Sequence, residues 1–223
     1  MPSTKSHKRT NDILLGRLER PAVKWLAAHM PRWVTPDMLT GLGFLAAILT
    51  GLSYWLTTFD KSFLWLASFG LLINWFGDSL DGSLARYRKI ERPKFGYFID
   101  HTMDAIEQLF IIIGLGLSPY VRFRFALLAL TGYYLMSIHT YITTYVSDIF
   151  KLSYGRFGPT EIRVIVILAN TFMFFVGIPT MDSLFGTVTL YDMMCLLISS
   201  ALIFIFIVST WKQALKLSSI DTD

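Results

Sequence analysis

Asp78, Asp81, Asp100 and Asp104 fall near the ends of two long apolar stretches. An acidic side chain at the centre of a membrane helix costs about 2.5–3.5 kcal/mol on insertion scales. Nearer the interface the cost is smaller, but four together still require compensation. Asp78 and Asp81 are three residues apart, and Asp100 and Asp104 four apart. Each pair therefore occupies one face of a helix. The short basic segment Arg86–Lys94 joins the two stretches, which makes them antiparallel neighbours and lets both pairs meet at one depth. Two divalent cations neutralise four carboxylates, and an all-oxygen set selects Mg²⁺ or Mn²⁺ over zinc. Paired ions about 3.5–4 Å apart suit displacement at phosphorus. Gly82 and Ala85 continue the face of Asp78 and Asp81, and Gly96 lies one turn before Asp100. Their missing side chains leave a flat surface against which a nucleotide could lie. Helix caps would need one acidic residue at a helix end, not four spread over two turns.

The elements that must position these residues are membrane helices. Of 223 residues, 53% are hydrophobic, 15% aromatic and only 16% charged, whereas soluble domains carry about a quarter charged residues. Mean hydropathy is +0.50. At roughly 20 residues per crossing, six spans are expected: Leu39–Thr58, Phe63–Tyr87, Gly96–Leu117, Phe125–Phe150, Arg163–Ile178 and Leu190–Trp211. This composition excludes a secreted disulfide scaffold, a coiled coil, a disordered tail protein and an ordinary cytosolic enzyme, and nothing points to nucleic acid. The single cysteine, Cys195, excludes an internal disulfide and a cysteine-clustered metal site.

Ahead of the spans, Leu14, Leu18, Ala22, Trp25, Leu26 and His29 recur at helical spacing, with Arg17, Arg20 and Lys24 elsewhere on the wheel. That pattern predicts an amphipathic helix lying in the membrane interface and restarted at Pro21, not a signal peptide. The expected fold class is an all-α membrane protein of six transmembrane helices preceded by this interfacial helix. Residues 1–37 form the arm and interfacial helix, and 38–223 the six-helix catalytic domain. Of 20 basic residues, all but Lys61, Arg122 and Arg124 sort with the termini and two of the loops. The positive-inside rule then places both termini and the acidic cluster on the cytoplasmic side of a multi-pass protein.

The residues of the cluster resemble the signature of the CDP-alcohol phosphotransferase (CDP-alcohol phosphatidyltransferase) family: Asp-x2-Asp-Gly-x2-Ala-Arg, a gap of eight or nine residues, then Gly-x3-Asp-x3-Asp. Asp78, Asp81, Gly82, Ala85, Arg86, Gly96, Asp100 and Asp104 fill all eight fixed positions over 27 residues. The resemblance implies transfer from a CDP-linked donor to an alcohol acceptor with release of CMP, dependent on two Mg²⁺ or Mn²⁺ ions. It assigns Asp78, Asp81 and Asp100 as metal ligands, with Asp104 shared between metal and general base. Gly82, Ala85, Arg86 and Gly96 would serve the donor. Thr35-Pro36-Asp37-x2-Thr40 is similar to the family's Thr-Pro-Asn-x2-Thr, with Asp37 in place of the usual Asn. Family members are often homodimers.

Two features lean toward the choline/ethanolamine branch, whose donor carries a polar head and whose acceptor is a lipid hydroxyl. One is Asp100-His101-x2-Asp104, the other Gly158-Pro159-Thr160-Glu161. A CDP-diacylglycerol donor with a polar alcohol or sugar-phosphate acceptor is the alternative. Glu161 reads equally as a base or cationic-head ligand and as first-turn charge behind a Thr160 N-cap. His101 either orients the acceptor or faces away from Asp100. The basic residues at the mouth, Arg163 among them, hold an anionic acceptor or meet anionic lipid. Glu107 and His139, deeper in spans three and four, are expected to face the bundle interior. A rival of another class, a cation transporter using the acidic cluster, predicts broken or repeated helices, of which the sequence has little sign.

Overall fold

The computed structural model describes residues 15–147, 158–183 and 186–220. Helix α1 spans Gly16–His29, α2 Pro36–Leu56, α3 Phe63–Arg88, α4 Pro93–Gly116, α5 Phe123–Ser147, α6 Pro159–Val176 and α7 Leu190–Ile220. Strands β1 (Thr180–Ser183) and β2 (Gly186–Thr189) pair antiparallel between α6 and α7. The hairpin was not expected from the hydropathy. Leu14, the basic residues before it, Lys151, Arg156 and the expected end of span four at Phe150 lie outside the described residues.

Each boundary has a local cause. Pro36 occupies the first turn of α2, where its missing N–H is harmless, and the Thr35 hydroxyl accepts from Met38 N at 3.2 Å. Helix α3 is capped by Lys89, whose left-handed backbone (φ 57°) turns the chain toward Pro93 at the start of α4. Gly177, at φ 77°, closes α6, a conformation that glycine reaches at little cost. Pro21 does not restart α1: the helix runs through it. Pro21 falls in the second turn, so the lost N–H removes one bond close to an end that is already short of them.

Helices α2, α3, α5, α6 and α7 are long and apolar enough to cross a membrane. Helix α4 has 24 residues, enough for a crossing, but carries Asp100, Asp104 and Glu107. Those acidic residues are what set its composition apart.

Helix α2 is the hub of the bundle, packing on both α3 and α4, while α3 and α4 touch little. This corrects the expectation that α3 and α4 are direct neighbours. Small residues make α2 a slender wedge. A side chain on Gly114 of α4 would run into the Gly51 backbone, one on Gly70 of α3 into Thr50, and one on Gly77 into Leu39 and Gly43. Between helices in lipid, close backbone approach of this kind replaces the hydrophobic driving force. Farther along, Tyr54 donates to Asn170 Oδ1 at 2.8 Å, and Asn170 donates to Ser68 at 3.0 Å. These bonds tie α2 and α3 to α6. Helix α1 lies on α3, burying Val23 and Ala27 beside Leu80 and Leu84.

Candidate active site

Where α2 separates α3 from α4, a recess opens. It is lined by Asp78 and Asp81 of α3, Asp100, Met103, Asp104 and Glu107 of α4, and Thr40 and Gly43 of α2. The four aspartates thus meet, across a floor supplied by a third helix. Gly43 keeps that floor low: a Cβ there would stand 3.6 Å from Asp78 N and 3.7 Å from Glu107 Oε1.

Hydrogen bonds fix the floor and walls. Thr40 donates to Asp81 Oδ2 at 2.6 Å, and Gly82 N–H bonds Asp81 Oδ1. Asn74, one turn before Asp78, donates to Glu107 Oε2 at 2.7 Å and to the Gly43 carbonyl at 3.0 Å. Arg163 of α6 donates from Nε to Asn74 Oδ1 at 2.9 Å and pairs with Asp78 Oδ2 at 2.8 Å. One chain of contacts therefore joins Glu107, Asn74, Arg163 and Asp78 across three helices. Sequence reasoning placed Arg163 among residues that meet substrate or lipid at the mouth, and missed Asn74 and Gly43. Asn74 was detectable: it is a polar residue in an apolar run, four before Asp78 and hence on its face.

The other expected residues are distributed around this centre. Gly96 is exposed with open space where a Cβ would stand, and a Cβ on Gly82 would meet only the Arg86 guanidinium at 3.4 Å. Ala85 is half-buried, and Arg86 is exposed and donates to Ser83 at 3.0 Å. Thr35 caps α2, and Asp37 pairs with Arg92. His101 stacks on Tyr141 of α5 (centroids 5.0 Å apart) and meets the edge of Tyr97 at 4.2 Å. Glu161 is buried, with Oε1 accepting from Leu15 N at 2.7 Å and Oε2 from Gly158 N at 2.9 Å. The N-cap of α6 is Gly158, not Thr160. Pro159 takes the first helical position, which moves the cap one residue earlier, and the Thr160 hydroxyl donates to Glu19 of α1 at 2.8 Å. Glu107 is buried in the recess wall, whereas His139 is buried between α5 and α7, beside Thr210.

A model of the family described as CDP-alcohol phosphatidyltransferase matches residues 33–211, which includes every wall of the recess. The chain belongs to this family. Cholinephosphotransferase 1 of Danio rerio is 28% identical over 164 residues, covering 69% of this chain and 42% of the relative. Archaetidylinositol phosphate synthase of Pyrococcus horikoshii is 36% identical over 104 residues, 47% of this chain and 52% of the relative. The chain therefore matches about half the length of these curated relatives. Among solved structures, phosphatidylinositol phosphate synthase of Mycobacterium tuberculosis with CDP-DAG bound superposes with a TM-score of 0.58 at 21% identity, covering 86% of this chain and 90% of that one. The likeness shows a shared fold. For a CDP-alcohol phosphatidyltransferase of this fold, five long apolar helices mean an integral, multi-pass membrane protein.

Among the described residues, no three His, Cys, Asp or Glu side chains converge tightly enough to hold an ion as they stand. The chemistry of the donor set nevertheless fits a hard cation. Every acidic lining group is a carboxylate, and Thr40 adds a hydroxyl.

Proposed function

We propose that this protein transfers a phospho-alcohol group from a CDP-linked donor to an alcohol hydroxyl, releasing CMP, in phospholipid synthesis. The observation that carries this reading is the set of four aspartates from α3 and α4 lining one recess beside α2. In this reading α4 is the sixth span, α1 lies in the interface, and the recess opens toward the cytoplasm, where the basic residues cluster.

Asp78, Asp81, Asp100 and Asp104 would hold two Mg²⁺ or Mn²⁺ ions. When bound, these supply charge neutralisation for the diphosphate and for departing CMP. The chain's own residues do the rest. Gly82, Ala85 and Gly96 leave room for the nucleotide, with Arg86 and the Thr35–Thr40 turn beside them. Thr40 orients Asp81. Asp104 takes the proton of the acceptor hydroxyl as its oxygen bonds to phosphorus and the bond to CMP breaks, which requires hydrogen-bond reach. His101, held by Tyr97 and Tyr141, is assigned to orienting the acceptor. Glu161 is assigned to holding the start of α6 against α1.

The donor is read as CDP-choline or CDP-ethanolamine with a diacylglycerol-like acceptor. The cholinephosphotransferase match over 69% of the chain and the Gly158–Glu161 segment support it. The archaetidylinositol phosphate synthase match, at the higher identity of 36%, supports the second reading of a CDP-lipid donor. A CMP-release panel crossing CDP-choline, CDP-ethanolamine and CDP-diacylglycerol with diacylglycerol, glycerol phosphate, inositol phosphate and serine tests both. Release from CDP-choline or CDP-ethanolamine with diacylglycerol is expected. Metal-independent release, or none with any pair, overturns the reading. Cation flux without nucleotide would favour a transporter instead.

A further inference from the structure

Among the described residues of the recess network, Arg163 alone has a buried side-chain donor left without a hydrogen-bond partner. It is 12% exposed and pairs with Asp78 while Nε bonds Asn74, yet its Nη1 is buried without a hydrogen-bond partner. A buried donor with no acceptor loses its hydration and gains no bond in return, so the guanidinium has bonding capacity that this arrangement leaves unused. Three arginines nearer the cluster in sequence are engaged elsewhere. Arg86 bonds Ser83, Arg88 holds the carbonyls of Met30, Pro31 and Val34, and Arg92 pairs with Asp37. The cation that reaches Asp78 comes instead from α6, through a side chain aimed by Asn74.

We propose that Arg163 is a resident counter-cation for Asp78 in the metal-free protein and competes with the divalent ion for that carboxylate. The inference rests on the metal-binding reading above. Asp78 Oδ2 already accepts from Nη2 at 2.8 Å. A magnesium ion needs its carboxylate oxygens at about 2.0–2.1 Å, and one oxygen serving both would bring like charges within about 4–5 Å in a poorly hydrated recess. Loading the ion on Oδ2 therefore requires the Nη2 bond to yield, while Nε keeps its hold on Asn74. Arg163 is a positioning residue in this account: it keeps four carboxylates tolerable together until the ion arrives, and its charge weakens apparent metal affinity.

The test is thermal unfolding of the full chain in detergent, first in EDTA and then across a Mg²⁺ titration at fixed CDP. Wild type, Arg163→Gln and Arg163→Lys are compared. Arg163→Gln is expected to unfold at a lower temperature in EDTA and to reach its half-maximal Mg²⁺ shift at a several-fold lower ion concentration. Arg163→Lys, which keeps a charge but loses the planar fork, is expected between wild type and Gln, and carries the test alone if the Gln variant does not fold. A merely structural role would lower stability without improving metal affinity. A half-point that stays or rises in the folded variant overturns the competition while leaving the metal reading intact. No Mg²⁺ shift in wild type overturns both.

Discussion

Asp81 and Asp192 are both buried, at opposite ends of the bundle, and they are held differently. Asp192, fully buried at the start of α7, accepts from Arg122 N at 2.7 Å and from Thr189 N at 3.0 Å. The Arg122 guanidinium lies 3.6 Å away, and Asp192 N donates back to the Thr189 hydroxyl at 2.9 Å. This is a reciprocal cap completed by a cation. Asp81 has the Thr40 hydroxyl and its own neighbour's N–H, and shares its recess with three more aspartates and Glu107. At one end a carboxylate meets donors; at the other, carboxylates meet carboxylates. The first arrangement serves folding, and the second costs folding energy, which the proposed ions would return on binding.

The contrast predicts opposite outcomes for one kind of substitution. Asp104→Asn should cut CMP release by about 10²–10⁴-fold, the range for a lost acid–base group, and Asp81→Asn should abolish it by removing a metal ligand. In EDTA their unfolding temperature should hold or rise, because like charges are relieved. Asp192→Asn should leave release per folded molecule near wild type and destabilise by about 1–3 kcal/mol, the cost of an impaired buried hydrogen-bond set. CMP release and thermal unfolding on the same samples check the pair, and matching losses of activity and stability at both ends would break the comparison.

Ligand addition sharpens it. Mg²⁺ with CDP at about 100 times the dissociation constant should stabilise by about 2.7 kcal/mol. That shift should appear in wild type and Asp192→Asn, vanish in Asp81→Asn, and disappear with EDTA.

The wedge between the two ends gives a smaller effect on both measures. A methyl at Gly114 would strike the Gly51 backbone, and overpacking of that kind costs about 1–3 kcal/mol. Gly114→Ala should lower the unfolding temperature, and by moving α4 off α2 it should also weaken the Mg²⁺–CDP shift. Gly96→Ala, with open space at its Cβ, should leave the unfolding temperature unchanged.

Much of this was legible in the residues because the relevant signals are local. Apolar runs placed the starts of α3 and α7 at Phe63 and Leu190, as found, and helical spacing put each aspartate pair on one face. What escaped depends on the third dimension. That α2 stands between α3 and α4 follows from glycines meeting glycines on helices far apart in sequence, such as Gly51 with Gly114. Asn74 and Arg163 join through a bond between α3 and α6 that no spacing rule encodes. The hairpin at Thr180–Thr189 was hidden because its strands are four residues each, too short for a period to register.

Glu161 belongs with Asp192 rather than with Asp81, and this gives the smallest loss predicted. Each of its oxygens accepts a backbone N–H, Leu15 on one side and Gly158 on the other. That joins the start of α6 to the residue before α1, and the Thr160–Glu19 bond reinforces the joint. Glu161→Gln keeps one accepting oxygen and turns an NH2 toward the other N–H, so one bond is lost at a cost of about 1 kcal/mol. Release of CMP per folded molecule should be nearly unchanged. A general base in the same position would give the reverse, a fall of about 10²-fold or more at unaltered stability. Measuring both on Glu161→Gln decides whether this carboxylate holds helices together or handles a proton.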